Sequence, residues 1–392
     1  MHHSETFPIG YLITVSYILC CTMLALRPLK PRRSGPFNWS FWFGYLFNEL
    51  PFLVFFWLFT STLSAFQQHI VNSPAGWIAF GLAVLATIGL AVIVKRQLRA
   101  DQSVCQALND RLGAGWRDAI DTRMAALLEQ RPSFSCILFA PFFVSRPSVK
   151  RVANIAYGDA GKWNLLDVYH HRDLPPNCPT LIYLHGGAFR SGWKNREALP
   201  LLYRLANQGW LCISANYRLS PAARFPDHLI DLKKVIAWVR EYGGRYGADP
   251  ATIFTAGSSA GGCLAVMAAL TPNDPAFQPD FEHTDTSVAA AISLYGYYGS
   301  VTAGGPNPSS PLAYVRPDAP PVFMVHGYQD TIVIVEDARN FARKLQLASS
   351  SPVVYAELPG AQHTFDLFHS LRFEAVIDGI EAFAAWVRSR KG

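Results

Sequence analysis

One serine set between two glycines, at the junction of two apolar runs, limits the fold of this chain more than any other feature. Gly257-Ser258-Ser259-Ala260-Gly261 reads G-x-S-x-G. It follows a β-like run, Ala251 to Ala256, and opens into a helix-like run, Cys263 to Leu270. A sharp strand-to-helix turn of this kind, a nucleophile elbow, lifts the serine hydroxyl out of the backbone. Glycine is needed there because a side chain would collide with the neighbouring strand and helix. The start of the following helix carries partial positive charge and favours an oxyanion. Taken alone, the five residues also fit an ordinary Gly/Ser turn, so the decision rests on what accompanies them.

A serine hydroxyl is a weak nucleophile. It needs a base to take its proton and a carboxylate to orient that base. In the order serine, acid, histidine, both partners lie C-terminal to the serine. His363 sits in Pro359-Gly360-Ala361-Gln362-His363-Thr364-Phe365, a loop after the strand-like Pro352 to Leu358. Asp330 sits in His326-Gly327-Tyr328-Gln329-Asp330, after the apolar run Pro321 to Val325. Each falls just past the end of a strand, where catalytic groups of an α/β sheet collect. His369 and His283 compete for the base; the first reads as a surface or packing histidine, the second as part of a solvated loop. Asp337 and Asp366 compete for the acid. Asp337 lies on a helix-like run, and Asp366 follows His363 too closely to reach its ring from the far side.

The tetrahedral intermediate of acyl transfer needs N–H donors already in place. His185-Gly186-Gly187-Ala188-Phe189 follows the buried-strand pattern Thr180 to Leu184. Its small residues let the backbone approach a carbonyl. The expected donors are the N–H groups of Gly187, Ala188 and Ala260. His185 precedes the serine and is expected to brace this loop. With Gly186, Gly257 and Gly261 it forms the supporting motif.

These residues together resemble the hormone-sensitive-lipase-like branch of the α/β-hydrolase superfamily. The matching segments are His185 to Phe189, Asn216-Tyr217-Arg218-Leu219-Ser220-Pro221 with Phe225-Pro226 and Asp231, Gly257 to Gly262, Asp330 and His363. Within that branch the chain is most similar to membrane-anchored carboxylesterases of the mycobacterial type. The resemblance is strong over roughly residues 150–390 and looser before them. It implies an α/β-hydrolase fold with a mostly parallel eight-stranded sheet, a Ser-His-Asp triad, and hydrolysis of carboxylic esters with no cofactor and no metal. Three departures stand out: Ser258 replaces the Asp common before the nucleophile, Ala188 replaces a third glycine, and Asp330 follows His-Gly-x-x rather than leading an Asp-Pro-Leu.

The N-terminal third has a different character. Half of the 392 residues are hydrophobic and 16% are charged, against about a quarter in soluble proteins. Phe7 to Leu26 and Gly76 to Val94 carry no charge and have the length of a membrane span. Phe41 to Leu63 is apolar but contains Asn48, Glu49 and Pro51. A carboxylate at mid-membrane costs about 2.5–3.5 kcal/mol, so this segment reads as a kinked span, with a re-entrant pair and a span whose Glu49 is protonated or paired as the alternatives. A cleaved signal peptide is the rival for residues 1–26, but the first ten residues lack its positive charge and no Ala-x-Ala follows. Arg27, Lys30, Arg32 and Arg33 follow the first apolar run, and Lys95, Arg96 and Arg99 the third. Three spans put both clusters on one side, which the positive-inside rule makes cytoplasmic together with the hydrolase. The net charge of +6 fits attraction to an anionic bilayer better than nucleic-acid binding.

The expected organisation is therefore an all-α membrane anchor in residues 1–100, a helical linker or cap in 101–150, and the catalytic domain in 151–392. The aromatic, Pro-rich stretch Arg131 to Pro147 caps, docks on the membrane or links. Thr302 to Ser310 reads as a flexible loop. The scattered cysteines suggest no disulfide framework and suit a reducing compartment. A chain starting near Asp101 is expected to keep activity on small soluble esters. Two other functions compete with a membrane-anchored esterase or lipase that takes acyl esters near a lipid bilayer: an amidase or peptidase using the same triad, and a non-catalytic hydrolase-like binding protein. Acyl length, alcohol preference and oligomeric state are not written in the motifs.

Overall fold

A computed structural model of the chain describes residues 9–31, 38–128, 134–302 and 307–390. Phe7, Arg32, Arg33, Arg131 and residues 303–306 of the Gly/Pro/Ser-rich loop lie outside the described residues.

Eight strands form one sheet. Its strands are β1 (Val149–Ala156), β2 (Leu165–His171), β3 (Cys178–Leu184), β4 (Leu211–Ala215), β5 (Ala248–Ser258), β6 (Ala290–Leu294), β7 (Val322–Gly327) and β8 (Val353–Leu358). They lie in the order β1-β2-β4-β3-β5-β6-β7-β8. β1 and β2 pair antiparallel with their neighbours, and β4-β3-β5-β6-β7-β8 are parallel. The expected eight-stranded, mostly parallel sheet is thus present. β3, β4, β6 and β7 are buried along their whole length, as a parallel sheet covered on both faces requires.

Alternate strand residues feed two helix layers. Leu181, Tyr183, Phe254, Ala256, Phe323 and Val325 face α7 (Leu199–Asn207) and α11 (Leu371–Ser389). Ile182, Leu184, Ile213 and Ile253 face α8 (Asp227–Tyr242) and α9 (Ala260–Leu270), while Val322, Met324 and Val353 pack on α10 (Val335–Ala348). α9 begins at Ala260, three residues before the apolar run that announces it, and is buried throughout.

The N-terminal helices are α1 (Ile9–Leu26), α2 (Trp39–Glu49), α3 (Pro51–Gln67) and α4 (Pro74–Leu112), followed by the short α5 (Thr122–Leu128) and α6 (Phe134–Phe139). Val15 and Ile18 of α1, Val54 and Leu58 of α3, and Ala79, Ala83 and Leu90 of α4 share one apolar cluster. Their outer faces expose Ile13, Phe56, Ile78 and Leu85, a pattern suited to lipid. α1 and α4 are long and apolar enough to cross a membrane, and α2 with α3 forms a pair bent by 86°. The segment expected as a kinked span therefore turns a corner at Leu50.

α4 runs unbroken through the boundary expected at residue 100, and its second half is part of the core on one face of the sheet. Ala100, Val104, Ala107 and Leu108 are buried with the sheet and α11. Ser73 Oγ caps its start by accepting from Gly76 N at 3.0 Å, and Pro74 fills the first position. All seven cysteines are free thiols.

Candidate active site

β5 ends at Ser258, and Ser259 follows as the first residue before α9, with φ 51° and ψ −114°. This is a sparsely populated region for a residue with a side chain, held only where the surroundings over-determine it. The surroundings are tight. A Cβ on Gly261 would lie 2.1 Å from Leu184 O, and one on Gly257 would lie 2.4 Å from the Gly261 backbone. The two glycines let the turn pass against the end of β3, which is the elbow expected from the sequence. Ser259 N donates to Leu294 O at 2.9 Å, fastening the turn to β6.

Asp330 follows β7 and His363 follows β8, so the strand order carries both to the carboxyl edge where Ser259 stands. His363 Nδ1 lies 2.7 Å from Asp330 Oδ2. The other carboxylate oxygen accepts from Ile332 N at 2.8 Å and Val333 N at 2.9 Å. Such an acceptor keeps the Nδ1–H tautomer and leaves Nε2 as the proton-accepting atom. Gln362 ties the two loops together, its Oε1 accepting from Thr331 N at 3.0 Å and His363 N at 3.2 Å. His326 adds a contact, with Nε2 3.4 Å from Asp330 Oδ2 and 2.9 Å from Val333 O. Burial pushes its imidazole below the ordinary histidine range.

The loop His185 to Phe189 passes directly over the elbow. A Cβ on Gly186 would sit 3.0 Å from Ser259 Cβ. Gly187, Ala188 and Phe189 all have positive φ, at 114°, 53° and 59°. His185 is buried, stacks on Tyr217 at 4.5 Å, and has Nδ1 2.6 Å from Gly186 O. Its pKa is lowered by desolvation, so the ring stays neutral and braces the loop. Tyr217 returns the bond, donating to His185 O at 3.0 Å. The neighbouring Arg218 forks onto Asp231 at 2.8–3.0 Å, which makes the Asn-Tyr-Arg stretch a structural clamp.

Two buried carboxyl groups under the elbow have no role that the sequence motifs assign. Glu197 Oε2 accepts from Gly186 N at 2.5 Å and from the Ser258 hydroxyl. Ser258, standing where the family often has Asp, thus supplies a donor to an acid. Asp366 accepts from Tyr183 OH at 2.7 Å and from Tyr295 OH. Burial, with Glu197 nearby, pushes its pKa up to about 7. The Tyr295 ring lies 4.5 Å from the His363 ring and backs it. No spacing rule identifies these acids, because Glu197 lies 61 residues before Ser258 in sequence.

Of the competing candidates, Asp366 is the buried acid just described, bonded to Tyr183 and Tyr295, and the others lie elsewhere. His283 is exposed, and Asp337 is on α10. His369, expected at the surface or in packing, is buried and paired with Glu374.

The N-terminal helices also reach the site. Phe41 of α2 stands edge-on to His363, with ring centroids 6.4 Å apart. Asn48 Nδ2 donates to Gly360 O at 2.9 Å, and Glu49 pairs with Arg372. Gln329, next to Asp330, donates to Leu26 O at the end of α1 at 2.9 Å. Hydropathy alone marks the first 94 residues as an anchor apart from the chemistry and does not reveal these contacts.

Comparison with known proteins agrees with this architecture. The family described as BD-FAE matches residues 166–304. The chain is 34% identical to the probable carboxylic ester hydrolase LipM of Mycobacterium tuberculosis, over 97% of this chain and 93% of that one. It is 35% identical to esterase LipQ of the same organism, over 81% of this chain and 85% of the other. Among solved structures, esterase 2 of Thermogutta terrifontis, phosphoramylated by tabun, superposes with a TM-score of 0.53 at 25% identity, covering 60% of this chain and 94% of that chain.

Proposed function

The chain belongs to the hormone-sensitive-lipase-like family of α/β-hydrolases, with the mycobacterial esterases among its relatives, and from that premise we propose that it is a membrane-anchored carboxylesterase working through Ser259, His363 and Asp330. That it is a carboxylic ester hydrolase follows from the family. The observation that carries the finer reading is the 2.7 Å pair of His363 Nδ1 and Asp330 Oδ2, placed by the sheet on the same edge as the strained Ser259.

In this reading His363 Nε2 takes the Ser259 proton as Oγ attacks the ester carbonyl. The N–H groups of Gly187, Ala188 and Ala260 receive the oxyanion. Glu197 uses the Gly186 N–H and so fixes the loop that carries the first two donors. Collapse of the intermediate gives the acyl-enzyme, the leaving alcohol taking the proton from His363. Water then attacks the acyl carbon by the same route in reverse. Asp330 holds the imidazole and stabilises its charged form.

Residues 151–392 form the catalytic unit, and the first hundred residues are the anchor, joined to it by α4. α1, the α2–α3 pair and α4 support up to three spans. Arg96, which donates to Leu26 O at 2.9 Å, and Lys30, which donates to Tyr328 O at 3.1 Å, both lie on the hydrolase side of the bundle. With positive residues inside, the catalytic unit faces the cytoplasm.

A serine-directed fluorophosphonate probe on the full chain tests the assignment. Labelling should fall on Ser259 and disappear in Ser259→Ala, together with hydrolysis of a short-chain ester. Hydrolysis surviving at near-native rate in that variant would sink it. Matched ester and amide substrates then separate esterase from amidase.

A further inference from the structure

The α2 helix is attached to two surroundings at once. Its inner side closes the catalytic edge. Phe41 meets His363, Tyr45 stacks on Phe41 at 5.2 Å, and Asn48 and Glu49 bond to Gly360 and Arg372. Ser259 beneath is only 8% exposed. Its outer side presents Trp39, Trp42, Phe43 and Leu46, all exposed. Four large apolar side chains on an 11-residue helix form a patch that a water-facing roof has no reason to carry.

The position of α2 says what covers that patch. α3 packs beside α1 and α4 in the apolar bundle, two of whose helices are long enough to span. An axis at 86° to α3 runs across the end of that bundle, along the plane in which a bilayer surface would lie. α1 and α4 touch the loops that carry Asp330 and His363 at this level, and α4 also holds α2. Leu26 O of α1 accepts from Gln329, Gln97 of α4 donates to Asn48 O at 2.5 Å, and the Arg96 side chain packs on Gly360. The exposed Phe139, Phe142 and Phe143 continue the aromatic rim. Phe142 meets Phe368 beyond His363, and Phe134 of α6 meets Phe52 of α3. Trp concentrates at such interfaces, and Trp, Phe and Leu line the buried face of helices that lie in them.

We propose that α2 is an interfacial helix, its outer face seated among the lipids of the leaflet next to the catalytic unit and its inner face forming the wall of the acyl site at Phe41. The substrates it selects are apolar acyl esters dissolved in the bilayer, which reach Ser259 sideways past α2 and the Phe142–Phe143 rim without passing through bulk water. The inference rests on the esterase reading above and adds the source of the substrate and the residues that face it.

The full chain reconstituted into vesicles of phosphatidylcholine and phosphatidylglycerol tests it with two readouts. In the first, Phe43→Cys carries an environment-sensitive fluorophore in a Cys20→Ser background, since Cys20 is an exposed thiol. Leu347→Cys, at the far end of α10 and 79% exposed, is the water-facing reference. Lipids bearing a nitroxide quencher should quench the label at 43 and not at 347; equal quenching at the two positions overturns the proposal. In the second, Phe41→Ala should lower kcat/KM for a long-chain ester dissolved in the vesicles about tenfold more than for a short soluble ester. An equal change for both substrates overturns it, and Phe41→Leu repeats the comparison if the alanine variant does not fold. Failure of the esterase reading is seen separately, as hydrolysis that survives Ser259→Ala or as release of the chain from membranes by carbonate.

Discussion

Replacing Glu49 by alanine should destabilise the whole molecule, although the residue lies at the end of α2 and more than a hundred positions before the first triad candidate. Glu49 Oε1 pairs with Arg372 Nη1, and the two side chains are 1% and 0% exposed. Glu49 also accepts from Asn48 Nδ2 at 3.1 Å and Ser370 Oγ at 3.4 Å. Without the carboxylate, Arg372 keeps two carbonyl contacts, to Asn48 and Pro359, both at the long distance of 3.5 Å. Removing one partner of a buried pair costs about 3–5 kcal/mol, because the remaining charge stays buried without compensation. Unfolding entropy of about 2.1 cal/mol/K per residue over 392 residues gives about 0.8 kcal/mol/K, so the melting temperature should fall by about 4–6 °C. The assay is thermal unfolding of the full chain in detergent micelles, followed by intrinsic fluorescence. A control removes both charges. Glu49→Met with Arg372→Met should return to within about 1 kcal/mol of the native value or exceed it, since an apolar pair carries no desolvation penalty. A Glu49→Ala shift below about 1 °C, or a double variant worse than the single one, would refute the reasoning.

Three further outcomes are expected. Asp330→Asn should lower kcat by about 10³–10⁴-fold with little change in short-ester binding, through loss of the Nδ1–H tautomer of His363, while Asp337→Asn should leave kcat near native; steady-state kinetics on one short ester compares them. Asp366 is held protonated to about pH 7 in the fold, whereas the unfolded chain releases that proton near pH 4; the folded state therefore binds the extra proton between these values, and its stability falls as pH rises through that window. Asp366→Asn cannot ionise, so its melting temperature relative to the native chain should rise from pH 4 to pH 7 and level off above; a flat difference removes the buried-acid account. A chain starting at Asp101 cuts α4 within its packed half and strips Gly360 O, Arg372 and Gln329 of their partners in α1 and α2. It should lose at least about tenfold of its activity on soluble esters through the disturbed His363 and Asp330 loops, contrary to the expectation from sequence, and native-like turnover by that fragment would show the contacts to be dispensable.

What the chain determines locally is legible in the order of its residues. The apolar runs between Thr180 and Leu358 appear as the parallel strands β3 to β8, because a buried parallel strand leaves an unbroken hydrophobic signature. The elbow at Gly257 to Gly261 is readable because strain at a tight strand-to-helix turn restricts the residue types that fit. Asp330 and His363 stand out as candidates by strand-end position alone, and the sheet order brings them within 2.7 Å of one another. Length and charge mark α1 and the first half of α4 as fit for a bilayer. Only the tertiary structure decides how these parts meet. Glu197 and Asp366 gather under the elbow through contacts that span 61 and 183 positions, which no local pattern encodes. The corner at Leu50 depends on Asn48 and Glu49 finding Gly360 and Arg372 more than three hundred residues away. Hydropathy reports how a segment partitions between water and lipid, and α2 is apolar on both sides for two different reasons. One side packs on His363 and the other is left exposed, a division that the hydropathy of the segment does not mark.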